Sequence, residues 1–148
     1  MGISLEQQDG EWYKSLPPSG GVYDLIYTAV SGTGPAERLR ATVALGKSGD
    51  PRAVRPLVDL LCDADSEIRL AATTSLGNLK SGRPVDDLIE RLQDRNEQMI
   101  IRKQAAAALI SIRSTGALRG LREFTLNEGE DPVLRSYAGN LLKDISAL

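Results

Sequence analysis

The chain has 148 residues, a formal net charge of −2, one cysteine and no histidine. The length suits one domain, burying roughly 70% of its unfolded surface, and the near-balanced charge gives no footprint for nucleic acid or an anionic membrane. The missing histidine removes the commonest general base and metal ligand, and a lone Cys62 excludes an internal disulfide and suits a reducing compartment.

In chain order, the start MGISLEQQDG has neither the basic nor the apolar region of a secretory signal. Glu6 stands where a myristoylation signal wants Ser or Thr. No apolar run exceeds about six residues, as in Ala105 to Ile110, so no segment is expected to span a bilayer. The cytoplasm is the expected location. The first ten residues are expected to fray. The break SLPPSGG (Ser15 to Gly21) then precedes a helix over Val22 to Val30. Residues 1–35 read as an atypical N-terminal cap, and residues 36–148 as repeats within the same domain.

The repeats appear when the chain is laid over itself. From Arg38 the offsets 3, 4, 7 and 8 give Ala41, Thr42, Leu45 and Gly46. From Arg69 they give Ala72, Thr73, Leu76 and Gly77; from Arg102, Ala105, Ala106, Leu109 and Ile110; from Arg135, Ala138, Gly139, Leu142 and Lys143. The anchors are 31, 33 and 33 residues apart. Sixteen residues after the first three anchors stand Val54, Val85 and Leu118, with Leu57, Leu88 and Leu121 three further on. Each copy therefore holds an Ala-rich first helix, a short break and an amphipathic second helix. The breaks are SGDPR, KSGRP and RSTGA, in the first of which Asp50 can cap and Pro51 can open the next helix. The two extra residues before the third anchor fall near DRNEQM, a loop where insertion is cheap. Pro132 opens a last first helix that has no second, with Asp131 as its cap. Glu37 departs from Ile68, Ile101 and Leu134, and Ile110 and Lys143 stand where two copies have Gly.

The stretch ALGKSGDPRAV (Ala44 to Val54) contains Gly46-Lys47-Ser48, the tail of a phosphate-binding loop. Ala41 stands where that loop needs its first glycine, and RLRATVAL has helical spacing rather than a strand pattern. The stretch is read as a turn between helices, with Gly46 at a close helix approach and Lys47 and Ser48 in solvent.

The pattern resembles the HEAT repeats, and most closely the subgroup named after the phycobilisome lyases. IRLAATTSLGNL, ALGKSGDPRAVRPLVDLL and DADSEIR carry the likeness, which covers about residues 36–147. It implies an all-α, right-handed solenoid of antiparallel helix pairs. It also implies that Arg38, Arg69, Arg102 and Arg135 bridge neighbouring repeats, with acidic loop residues such as Asp65 and Asp131 nearby. Second helices of such solenoids line a concave groove. That would put Tyr23, Arg55, Asp86 and Arg119 in one column of the groove, with Tyr27, Asp59, Glu90 and Glu123 in a second column four residues on.

No constellation points to catalysis. Cys62 has no histidine to act as its base and has Asp63 beside it, so it reads as a half-buried, inert thiol. The pairs Asp63/Asp65, Asp86/Asp87 and Glu128/Glu130 lack the spacing of a cation loop and read as caps and solvated faces. The expectation is a non-catalytic scaffold without cofactor or metal. Its partner is expected to be a protein or peptide carrying basic residues, with neither nucleic acid nor a membrane. The resemblance also leaves open an accessory subunit of a bilin lyase-like enzyme, and a nucleic-acid-binding HEAT-like protein. Trp12 and Tyr13 could alternatively fold over Tyr23 and Tyr27.

Overall fold

The structure, a computed structural model, describes residues 21–146. Expectations for residues 1–16, including Trp12 and Tyr13, lie outside the described residues. Eight α-helices and no strand occur among the described residues. They are α1 (Val22–Ser31), α2 (Pro35–Lys47), α3 (Val54–Leu60), α4 (Ser66–Leu79), α5 (Val85–Gln93), α6 (Met99–Ile112), α7 (Thr115–Leu126) and α8 (Pro132–Ser146). Ala41 to Leu45 lie inside α2, so no strand precedes Gly46 and the phosphate-loop geometry is absent.

Helix starts follow the local chemistry. The Asp50 carboxylate accepts the Arg52 N–H at 2.9 Å, and Pro51 opens a 3₁₀ turn, Pro51–Ala53, that leads into α3. Asp65 accepts the Glu67 N–H at 2.9 Å, and Ser114 accepts the Ala117 N–H at 3.2 Å. Asp131 takes the Val133 and Leu134 N–H groups at 2.9 and 3.0 Å. Two first helices end on left-handed residues that are not glycine, Lys80 (φ 54°) and Arg113 (φ 61°). That costs roughly 1–2 kcal/mol per residue, which the packed helices on either side must offset.

The first helices α2, α4, α6 and α8 stack in one row, and α1, α3, α5 and α7 form a second row beside it. One continuous apolar core lies between the rows, built on Leu45, Leu57, Leu76, Leu88, Leu109 and Leu121. Small residues bring the first helices together. A Cβ on Gly46 would stand 2.7 Å from the Ser75 Cα, and one on Gly77 2.9 Å from the Ala108 Cα. The Ser75 hydroxyl crosses the first of these contacts and donates to the Thr42 carbonyl at 3.0 Å. Gly46 is therefore a close-approach residue, while Lys47 and Ser48 are exposed.

Three details depart from the sequence reading. Cys62 is exposed rather than half-buried, because it follows α3 in the turn where the chain leaves the core. Leu118 is only half-buried, and Ala117 takes the inward place at the start of α7. In α1 the fully enclosed residues are Ile26 and Ala29, with Val22 and Leu25 half-buried. Glu37 is exposed where Ile68, Ile101 and Leu134 are buried, as its charge requires.

Candidate functional site

The arginine column is a bridge between repeats. Each guanidinium reaches back to a carbonyl at or just beyond the end of the preceding second helix, and three reach forward to an acidic loop residue. Arg38 donates to the Ala29 carbonyl at 3.0 Å and pairs with Asp63. Arg69 donates to the Asp63 carbonyl at 2.8 Å and to both Glu97 carboxylate oxygens at 2.9 and 3.0 Å. Arg102 donates to the Leu92 carbonyl at 2.8 Å and to Glu130 at 3.2 Å. Arg135 places two donors on the Thr125 carbonyl, at 3.1 and 3.0 Å. The planar fork holds two acceptors in a fixed geometry, for which a lysine's compact point charge is no substitute.

The carboxylates differ from those expected. Asp65 and Asp131 cap helices; Asp63, Glu97 and Glu130 make the pairs. Asp65 and Asp131 turn their carboxylates onto their own helix N-termini. Burial alone would raise the Asp63 and Glu97 carboxyls. The hydrogen bonds from Arg38 and Arg69, helped by backbone N–H groups, outweigh it and hold both below the usual carboxylate range. Arg69 is pushed up in return, by its hydrogen bond to Glu97. Arg91 adds a second cation 3.3 Å from Glu97.

The second-helix columns are on the surface. Tyr27 is 56% exposed. Arg55, Asp59, Asp86, Glu90, Arg119 and Glu123 are exposed as well, on α3, α5 and α7. Tyr23 is the exception: it is half-buried against the core, with the Arg52 guanidinium 4.8 Å above its ring. Its column neighbours project into solvent, whereas Tyr23 serves the junction of α1 with the start of α3. Leu126, 78% exposed at the end of α7, was missed because it stands one turn beyond both columns.

The two rows pack through different residues. First helices meet backbone to backbone at Gly46 and Gly77, whereas Gly120 of α7 meets the side chain of Ile89 (Cγ1 at 3.0 Å from a built Cβ). The first helices accordingly contact one another more extensively than the second helices do. The tyrosine and acidic columns lie on the second-helix row. The first-helix row carries Thr74, Gln104, Ala107 and Lys103, whose ammonium lies 5.5 Å from the Tyr137 ring. No helix among the described residues is long and apolar enough to cross a membrane.

Comparison with known proteins agrees with this architecture. A family model described as HEAT repeats matches residues 24–100. Among solved structures, human deoxyhypusine hydroxylase in complex with glycerol is similar, with a TM-score of 0.75 at 23% identity. The likeness covers 89% of this chain but 46% of that one, so this chain spans about half of its length. At that identity the likeness shows the fold. No curated protein matches the chain.

Proposed function

The chain belongs to the HEAT-repeat family, and from that premise we propose that it is a non-catalytic module that binds a protein or peptide carrying basic residues. One observation supports this reading above others. Tyr27, Asp59, Glu90 and Glu123 occupy matching places on four successive second helices, and all are exposed. An aromatic anchor followed by a row of carboxylates suits a partner that supplies lysine or arginine: tyrosine is enriched at hot spots, and charges set association rate and register. The same carboxylates disfavour a nucleic-acid backbone. A second reading puts the partner on the first-helix row, where the Lys103 ammonium lies over the Tyr137 ring.

One experiment separates the two. Proteins captured on the purified chain are identified by mass spectrometry, and the partner's footprint is mapped by hydrogen exchange. Protection over α1, α3, α5 and α7 supports the first reading, and protection over α2, α4 and α6 the second. Tyr27→Ala is expected to weaken binding by about 2 kcal/mol if it is a hot spot. Unchanged affinity in both Tyr27→Ala and Glu90→Lys would sink the first reading.

A further inference from the structure

The arginine bridges differ at α8. Arg38, Arg69 and Arg102 each take a carboxylate from a loop 25 to 28 residues downstream. Arg135 makes its two bonds to the Thr125 carbonyl, and among the described residues no carboxylate reaches it. The helix surface beside each arginine follows the same division. Four and seven residues after the first three arginines stand Thr42 and Leu45, Thr73 and Leu76, and Ala106 and Leu109, all fully buried in the stack. The matching residues of α8, Gly139 and Leu142, are half-buried, and nothing lies within 4 Å of a Cβ built on Gly139. Lys143 is exposed where Gly46 and Gly77 meet the following first helix. The helical offsets keep Arg135, Gly139, Leu142 and Lys143 on one side of α8.

We propose that this side of α8 docks a partner protein that presents a carboxylate in the loop ahead of a helix, as the chain presents Asp63, Glu97 and Glu130 to its own arginines. Two observations favour that occupant. The first is charge. Arg135 and Lys143, which flank Gly139 and Leu142, are both cationic. Asp131, at the start of the same helix, is turned onto the Val133 and Leu134 N–H groups. Asp65 is turned in the same way onto the Glu67 N–H beside Arg69, which still takes Glu97. A second copy placed face to face would bring the same two cations together. The second observation is continuity with the stack. The Thr125 carbonyl holds the Arg135 guanidinium as the Leu92 carbonyl holds that of Arg102. Little side-chain ordering therefore remains to be done when a carboxylate arrives. The surface is opposite in sign to the carboxylate row of the second helices, and takes an acidic partner where that row takes a basic one.

The probe is an end-capped, labelled peptide of residues 127–146, the loop and helix that carry Glu130 to Arg102, with four carboxylates against two cationic side chains. Fluorescence anisotropy with the full chain is expected to show saturable binding. Arg135→Glu is expected to weaken it about tenfold or more, and a peptide carrying Glu130→Arg is expected to regain affinity for that variant. Arg135→Glu also disturbs the Thr125 contact, so Lys143→Glu, at an exposed position, tests the same side of α8 with far-UV CD unchanged. It is expected to weaken binding several-fold. Asp144→Asn is the control: nine residues beyond Arg135, it lies on the opposite side of the helix and is expected to leave binding unchanged. Absence of saturable binding overturns the proposal. Equal affinity for wild type, Arg135→Glu and Lys143→Glu overturns it as well, by showing that the peptide displaces α8 from Arg102 instead. A sedimentation mass of two chains that falls to one in Lys143→Glu would overturn it too, by placing a second copy on this surface.

Discussion

Arg102 and Glu130 form the most enclosed ion pair described in the stack, 3.2 Å apart with each side chain 6% exposed. Arg102 begins in the first turn of α6, takes the Leu92 carbonyl at the end of α5, and reaches the loop before α8. One side chain thereby ties α5, α6 and the loop before α8 together. Removing it leaves the Glu130 carboxylate buried without that partner, so Arg102→Ala is expected to cost about 3–5 kcal/mol. Arg69→Ala is expected to cost less, because Glu97 keeps Arg91 and the Gln98 N–H. Arg119→Ala, at an exposed site on α7, should stay within about ±0.5 kcal/mol. Urea denaturation of the three variants checks the order, and equal midpoints would remove the arginines from the account of stability.

The same pairs set a dependence on pH. The Asp63 and Glu97 carboxyls are held below their usual range in the folded chain. A depressed carboxylate binds fewer protons folded than unfolded. Its stabilisation is therefore present above the unfolded value of about 4, and is lost as pH falls through the lower folded value. Stability is expected to drop on the acid side, and Glu97→Gln should flatten part of that drop. A denaturation midpoint that falls equally steeply in wild type and Glu97→Gln would assign the acid limb to other groups.

Glycines at helix crossings and in open helix should respond in opposite directions. A Cβ on Gly77 would lie 2.9 Å from the Ala108 Cα, so Gly77→Ala must push α4 and α6 apart. Overpacking of this kind costs typically about 1–3 kcal/mol. Gly139 lies within α8 with nothing near its built Cβ. Gly139→Ala should stabilise the chain by about 0.5–1 kcal/mol through helix propensity. Thermal melts of both variants read the two signs directly.

The Gly46-Lys47-Ser48 stretch is expected to bind neither ATP nor GTP with magnesium. Its backbone N–H groups before Lys47 are committed to α2, leaving no nest to cradle a phosphate. Calorimetric titration checks this. Saturable nucleotide binding that disappears in Lys47→Ala would mean that α2 unwinds around the ligand.

The stacked helix pairs were legible in the sequence because they depend on local rules. Arg, Ala and Leu recur at helical offsets, Asp50 and Asp131 sit where orphan N–H groups need acceptors, and Gly46 and Gly77 mark where a Cβ has no room. These features follow from periodicity and steric size, and no contact distant in sequence is needed to see them. What the tertiary structure decided concerns residues far apart in the chain. Asp63, Glu97 and Glu130 were chosen over Asp65 and Asp131 as arginine partners only because a loop 25 to 28 residues downstream folds back onto each guanidinium. Tyr23 left the solvent-facing column once Arg52, from the next helix pair, covered its ring. The close crossings of the first helices likewise depend on Ser75 and Ala108 fitting glycines one repeat earlier. Local chemistry sets where each helix begins and which side is apolar. The partner of a buried charge, and the fit of one first helix against the next, are settled only when successive repeats meet.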